Sequence, residues 1–206
     1  MTVRPLRSDE VEAAAALAAR AFFDDPLFQF VYPDPSRRLA GFAGEHAAYV
    51  RYVYAPYGVC EMAEADGALA GLALWLPPGA EVPAWREWTA LPALVRGAGL
   101  RRLPAVRRAY RAFDDAMPDG RFWYLGLLAV DPEAQGRGVG SALVRAGLAR
   151  ADAGEVGTFL ETGTATNVAF YRRLGFEVTG EIPLPGGPTH WAMWRAPDST
   201  PDSLRV

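Results

Sequence analysis

Apolar positions along the chain follow two rhythms, a strand-like alternation and a helix-like recurrence, and the changes between them predict the elements. Positions 3–6 read as a short opening strand. Asp9 followed by Glu12 has the spacing of a capped helix start, and the alanine-rich stretch behind it carries a helix to position 23, where Asp24-Asp25-Pro26 stops it. A second helix is expected over 36–53, with Pro33 and Pro35 breaking the segment before it. Positions 57–64 and 68–76 form paired strands around Asp66-Gly67, a strong hairpin signal, and Pro77-Pro78 ends the second. Residues 85–117 are helical in period but interrupted at Pro92, Gly97, Gly99 and Pro104, which predicts short helices rather than one long one. Then come a strand over 121–130, a helix over 140–153, a strand over 157–162, a helix over 167–174, and strands over 176–182 and 190–194.

An early hairpin followed by a strand-helix-strand-helix unit predicts an α/β fold with a mixed sheet, because a strand-helix-strand crossover makes its strands locally parallel. With 206 residues, 50% of them hydrophobic, the chain can bury one substantial core. No repeat or linker divides it, so one domain is expected over 1–196, with the polar, proline-containing stretch 197–206 as a loose tail. No apolar run approaches the ~20 residues that cross a bilayer. The first residues lack a signal peptide's order of charge, apolar core and cleavage site, so the expectation is a cytoplasmic protein with no membrane partner.

The single cysteine, Cys60, cannot form an intrachain disulfide, and in its strand a packed thiol is favoured over a nucleophile. His46 and His190 are the only histidines and supply no metal-ligand spacing, so no metal is expected. A net charge of −3 gives no general attraction to nucleic acid. One local exception, Arg96, Arg101, Arg102, Arg107, Arg108 and Arg111, reads first as a solvated helix face and second as a contact for a phosphate-bearing partner.

The stretch 127–141, LLAVDPEAQGRGVGS, runs from a strand through a glycine-dense turn into an amphipathic helix. Such a turn directs several backbone N–H groups to one point, and the helix dipole adds positive potential there, which suits an anion. Gly136, Gly138 and Gly140 allow close backbone approach and unusual φ, and Gln135 can add an amide. Glycine also marks ordinary turns, and that reading stays open. A phosphate-binding P-loop is excluded, since no lysine occurs in the chain, and the dinucleotide fingerprint lacks its third glycine.

The pattern Q-x-x-G-x-G at Gln135, Gly138 and Gly140, after L-L-A-V-D-P and before N-V-A-F-Y-R-R-L-G-F at 167–176, resembles the GNAT N-acetyltransferases. Within that superfamily, FLETGTATNVAFYRRLGFEV and GGPTHWAMWR are similar to puromycin N-acetyltransferase-like members. The resemblance is dense from about position 122 to 195 and thin before it. It implies a GNAT fold: a mixed, twisted central sheet with two splayed parallel strands, here 121–130 and 157–162, and helices on both faces. It also implies acetyl-CoA as co-substrate. On that basis Leu128, Ala129 and Val130 offer backbone groups to pantetheine, and Gln135, Gly136, Arg137, Gly138, Val139, Gly140 and Ser141 cradle the pyrophosphate.

Transfer of an acyl group to an amine needs a neutral amine, a polarised carbonyl and a proton for the leaving thiolate. The resemblance suggests Tyr171 as proton donor near the sulfur, with simple packing as the alternative. Asn167 is either a helix N-cap or a further pantetheine contact. Glu161 is the preferred base, a surface or structural carboxylate being the alternative, and His190 is the other candidate. The resemblance also implies a backbone N–H near Leu128 to meet the oxyanion. The acceptor is expected over the splay, against Asp25, Phe28, Tyr32, Trp75 and Trp123. The activity so implied is acetyl transfer to a primary amine of a small molecule, such as an antibiotic or amino-nucleoside, by a monomer or homodimer. Two other readings remain: an aminoacyl transferase whose arginine cluster docks tRNA, and a non-catalytic acetyl-CoA-binding module.

Overall fold

The computed structural model describes residues 1–198; of the expected tail, 199–206 lie outside the described residues. β1 (Thr2–Pro5) leads through a 3₁₀ turn into α1 (Val11–Ala21), then α2 (Pro26–Val31) and α3 (Pro35–Tyr49). A π-helical turn, Val50–Tyr54, and α4 (Ala55–Tyr57) extend that helix to the hairpin of β2 (Val59–Ala65) and β3 (Ala68–Leu76). Asp66 and Gly67 both take positive φ, 54° and 77°, the pair of values that an Asp-Gly hairpin turn requires. Then come α5 (Leu91–Ala98), α6 (Leu103–Asp114), β4 (Trp123–Val130), α7 (Val139–Ala153), β5 (Thr158–Thr162), α8 (Ala165–Arg172), β6 (Glu177–Pro183) and β7 (Thr189–Arg195).

The seven strands form one mixed sheet in the order β1-β2-β3-β4-β5-β7-β6, antiparallel throughout except for β4 and β5. This is the predicted α/β fold. On one face Leu72, Leu74, Leu127 and Ala129 pack against the apolar stripes of α1 and α3; on the other Ala73, Leu125 and Leu160 pack against Leu143, Val144 and Leu148 of α7. Helices therefore cover both faces, as a sheet apolar on both sides demands.

The first helix ends at Ala21, before the Asp24-Asp25-Pro26 segment as expected, and the same segment starts α2. Asp25 accepts the Leu27 N–H at 2.8 Å and caps α2, with Pro26 in the first helical position, where no N–H is needed. Buried Arg38 holds the same segment from behind, donating to the Tyr32 carbonyl at 2.9 Å and the Phe23 carbonyl at 3.1 Å.

Candidate active site

β4 and β5 pair only at Trp123↔Thr158 and Tyr124↔Phe159, after which β5 stays with β7 and β4 with β3. The strands part beyond Tyr124, and the sheet opens. The β3 ladder reaches the Asp131 N–H donating to the Ala70 carbonyl at 3.0 Å, so by antiparallel alternation Leu127 and Ala129 bond β3 while Leu128 and Val130 turn their backbone groups into the opening. Ala129, expected to offer backbone groups to pantetheine, is thereby corrected: its N–H and carbonyl are committed to Leu72. A register shift opposite Trp75 bulges β4 around Gly126, and the Tyr54 hydroxyl sits 1.9 Å from where a Cβ of Gly126 would lie. Only glycine fits there.

At the outer end of the opening lies the glycine-rich turn. Gly136 and Gly138 take φ of 75° and 83°, and a Cβ at either would point into open space. The first intrahelical bond of α7 is Ala142 N–H to the Gly138 carbonyl, at 3.0 Å. The amides of Val139, Gly140 and Ser141 therefore have no partner within the helix, and they point outward at its positive end. Val139 buries its side chain in the core and Gly140 lies against Val130 and Phe170, so both contribute backbone. Gln135 donates to the Val130 carbonyl at 3.3 Å, and Arg137 reaches Asp66 at 2.5 Å across the β2–β3 turn. The turn is thus a cradle of N–H groups, open to solvent and suited to a diphosphate.

A cavity of about 570 Å³ adjoins the opening. Leu128, Glu161, Asn167, Tyr171 and His190 line it, as do Asp25, Phe28 and Tyr49. Three expected acceptor contacts do not. Tyr32 is fully buried and donates to Glu45 at 2.6 Å; Trp75 is fully buried against Gly147 of α7; and Trp123 packs with that same α7 cluster, under Arg150 at 5.7 Å. Tyr32 and Trp75 fill the core and Trp123 lies half-buried against it; with both faces of the sheet covered, an aromatic on β3 or β4 has two packed sides.

Glu161 accepts the Tyr124 hydroxyl at 2.6 Å through Oε1, and its Oε2 is sealed from water with no hydrogen-bond partner. Burial pushes its carboxyl up to about 7, against the pull of the Tyr124 hydrogen bond. His190, the rival base, is pushed down to about 4 by burial against Phe113 and Gly163. At neutral pH Glu161 is the better-matched proton acceptor of the two. Tyr171 is buried with its ring on Phe170 and Phe176, and burial with the neighbouring Glu161 charge raises its phenol, which holds the O–H as a donor. Asn167 is not the cap of α8: Thr164 Oγ1 takes that place, accepting the Asn167 N–H at 3.2 Å. Cys60 is half-buried, its thiol pushed up to about 12 by burial, which suppresses the nucleophilic thiolate.

Several cavity residues escaped the sequence reading: Tyr54, Tyr124, His46, Tyr110, Phe113 and Asp114. Tyr124 had one available signal, since parallel pairing of its strand with 157–162 sets it beside Phe159, two residues from Glu161. Among the described residues no cluster of His, Cys, Asp or Glu could hold a metal, and no helix is long and apolar enough to cross a membrane.

Residues 105–178 match the family model for the acetyltransferase (GNAT) domain. A solved structure from Corynebacterium glutamicum, described as histone acetyltransferase HPA2 and related acetyltransferase, is 30% identical, with 98% of each chain covered and a TM-score of 0.75. An uncharacterized N-acetyltransferase of Schizosaccharomyces pombe is 24% identical over 194 residues, 85% of this chain and 74% of that protein. A polyamine N-acetyltransferase of Drosophila melanogaster shares the fold at 15% identity and a TM-score of 0.63, over 95% of this chain and 99% of that one. The chain belongs to the GNAT acetyltransferases. It is a transferase that moves an acetyl group to an amine.

Proposed function

We propose that the protein uses acetyl-CoA to acetylate a primary amine of a small molecule, in the cavity where β4 and β5 part. Glu161 carries the reading: a carboxylate sealed in that cavity and held near 7 can take a proton from an ammonium at physiological pH. The chain's own groups fit the donor. Amides of the turn at Gly136, Arg137, Gly138, Val139, Gly140 and Ser141, with Gln135, suit a pyrophosphate, and the backbone of Leu128 and Val130 and the Asn167 side chain suit the pantetheine amides. When bound, acetyl-CoA supplies the activated acyl group.

The Glu161 carboxylate accepts the proton of the incoming ammonium, directly or through a water, and the amine becomes a nucleophile. A backbone N–H at Leu128 polarises the acyl carbonyl oxygen. As the amine nitrogen bonds to the acyl carbon and the carbon–sulfur bond breaks, the neutral Tyr171 phenol would give its proton to the departing sulfur and recover the second proton that the nitrogen loses. Cavity walls of Phe28, Tyr49 and Asp25 hold the acceptor. An antibiotic or amino-nucleoside amine is the class suggested by the puromycin N-acetyltransferase-like resemblance of 159–195, and the cavity is large enough for one.

Thermal-shift measurements with acetyl-CoA, other acyl-CoAs and free CoA, followed by free-thiol release across an amine library, test the reading. Stabilisation by acetyl-CoA and amine-dependent thiol release support it. Failure of every CoA species to shift the melting temperature would overturn it.

A further inference from the structure

The 3₁₀ helix Ala84–Ala90 and α5 behind it are apolar on two sides, and only one of these is covered. Ala90, Leu94 and Gly97 form the inner side, where a Cβ on Gly97 would stand 2.7 Å from the Cα of Gly41 in α3. On the outer side Trp85 and Trp88, three residues apart, stand one above the other as 3₁₀ geometry requires, and Leu91 and Pro92 continue the row. Trp85 is 61% exposed and Trp88 70%. Leu100, after the Gly99 turn that ends α5, is 70% exposed as well. Arg86 fixes the row from beneath, donating to the Tyr52 carbonyl at 3.1 Å with its guanidinium 4.8 Å over the Trp85 ring. A row of large apolar side chains held outward in this way marks an interaction surface.

Beside the row the charge is of one sign. Positions 96–111 hold six arginines and no acidic residue, in a chain whose net charge is −3. Arginines elsewhere are answered by carboxylates, Arg4 by Glu10, Arg150 by Glu61 and Arg195 by Asp152. Arg96, Arg101, Arg107 and Arg108 are exposed and, among the described residues, enter no ion pair. Arg96 lies one turn beyond Pro92 on the outer side of α5, and Arg101 follows Leu100 directly. Arg107 and Arg108 lie on the outer side of α6, whose inner side buries Val106, Ala109 and Phe113.

The occupant of this face must be apolar and anionic at once. A second copy of the chain fails the charge requirement, because a two-fold contact here would bring the arginines of both copies together with no carboxylate of 96–111 between them. RNA supplies anions but takes aromatic rings as stacking platforms along a groove, and Leu91 and Leu100 on the outside of helices offer neither. An anionic bilayer surface meets both requirements: tryptophan rings sit at headgroup level, leucine reaches the acyl boundary, and arginines meet lipid phosphates. The expectation of no membrane partner rested on spans and leader sequences, and neither tests a face that lies on a surface. We propose that the outer face of residues 84–111 docks the protein on an anionic lipid surface, with Trp85, Trp88 and Leu100 at the interface and Arg96, Arg101, Arg107 and Arg108 on the phosphates.

Co-sedimentation with vesicles tests it, using phosphatidylcholine alone and phosphatidylcholine with phosphatidylglycerol in equal parts. Wild type is expected to bind the mixed vesicles, to release them as salt is raised, and to stay in solution with the neutral ones. Replacing Arg101, Arg107 and Arg108 together by alanine should weaken partitioning by about 10²-fold. Trp88→Ala combined with Leu100→Ala leaves the charge unchanged and should weaken it by about ten-fold or more. All five side chains are exposed, so the melting temperatures of both variants should match the wild type. Absence of binding to the mixed vesicles, or binding that neither variant weakens, overturns the proposal. So does tRNA retention in place of vesicle binding, or in its place a concentration-dependent dimer that Trp88→Ala with Leu100→Ala abolishes. Vesicle binding is read without CoA or amine, so failure of the acetyl-transfer reading leaves this result as it is.

Discussion

The Tyr124 hydroxyl donates to Glu161 Oε1 at 2.6 Å, and the carboxylate's other oxygen has no protein partner. One oxygen is fixed by Tyr124, and the other is buried without a protein partner. That division gives the first expectation. The hydrogen bond favours the ionised carboxylate, so Tyr124→Phe should raise the Glu161 pKa above its value of about 7 and move the acidic limb of the kcat/KM pH profile upward. An unmoved limb would mean that Glu161 is not the base.

Glu161 also has a stability cost of known sign. Its carboxyl is raised from 4.5 to about 7 in the folded protein, so folding favours the protonated form, and stability is lost as pH rises through that window. The difference in unfolding free energy between Glu161→Gln and wild type should therefore grow in favour of the variant from pH 4.5 to 7, reaching about 3 kcal/mol at most, at 1.36 kcal/mol per unit. The same variant should lose about 10²-fold to 10⁴-fold in kcat. Denaturant melts across pH check the first statement, and thiol release the second.

Tyr171→Phe keeps the ring that packs on Phe170 and Phe176 and removes only the hydroxyl. It should lower kcat by about 10²-fold or more with little change in acetyl-CoA affinity. Wild-type turnover in this variant would reduce Tyr171 to a packing residue.

Gly147→Ala should destabilise the fold, because the added Cβ would meet the Trp75 ring at 2.1 Å. Overpacking of this kind costs about 1–3 kcal/mol. The midpoint of unfolding should fall while KM for the amine stays as it was, in keeping with Trp75 as a core residue outside the cavity.

Arg102 is tied down, donating to the Phe30 carbonyl at 2.8 Å with its guanidinium 4.1 Å over that ring, whereas Arg96, Arg101, Arg107, Arg108 and Arg111 are exposed. Replacing Arg101, Arg107 and Arg108 by alanine should preserve acetyl transfer. A gel-shift assay at physiological salt should show no tRNA retention by the wild type. Salt-sensitive retention lost in that variant would instead favour an aminoacyl-tRNA donor.

The half of the site built from continuous chain was legible in the sequence. The run from Leu127 to Ser141 announces strand, turn and helix in order, and backbone amides need no knowledge of side-chain direction. Glu161 and Tyr171 came from the resemblance, which puts a carboxylate and a tyrosine on the strand and helix after that unit, and both line the cavity. The acceptor half was legible only at Asp25 and Phe28, since it is assembled from α2, α3, the π-helical turn, α6 and β4, and sequence spacing does not say which side of each faces the cavity. Trp75 and Trp123 illustrate the failure, because both faces of their strands are buried and aromatic character marks neither as the open one. Tyr54 illustrates it in reverse: its hydroxyl reaches Gly126 from a π-helical turn that periodicity reads as ordinary helix.

The most direct test of the central claim is a crystal structure of the protein with CoA bound, which does not depend on knowing the acceptor. The account predicts pyrophosphate oxygens within hydrogen-bond distance of the amides of the 136–141 turn. It also predicts the pantetheine arm along Leu128 and Val130, and the thiol in the opening beside Tyr171 and Glu161. CoA bound elsewhere, or a pantetheine arm that does not enter between β4 and β5, would contradict it.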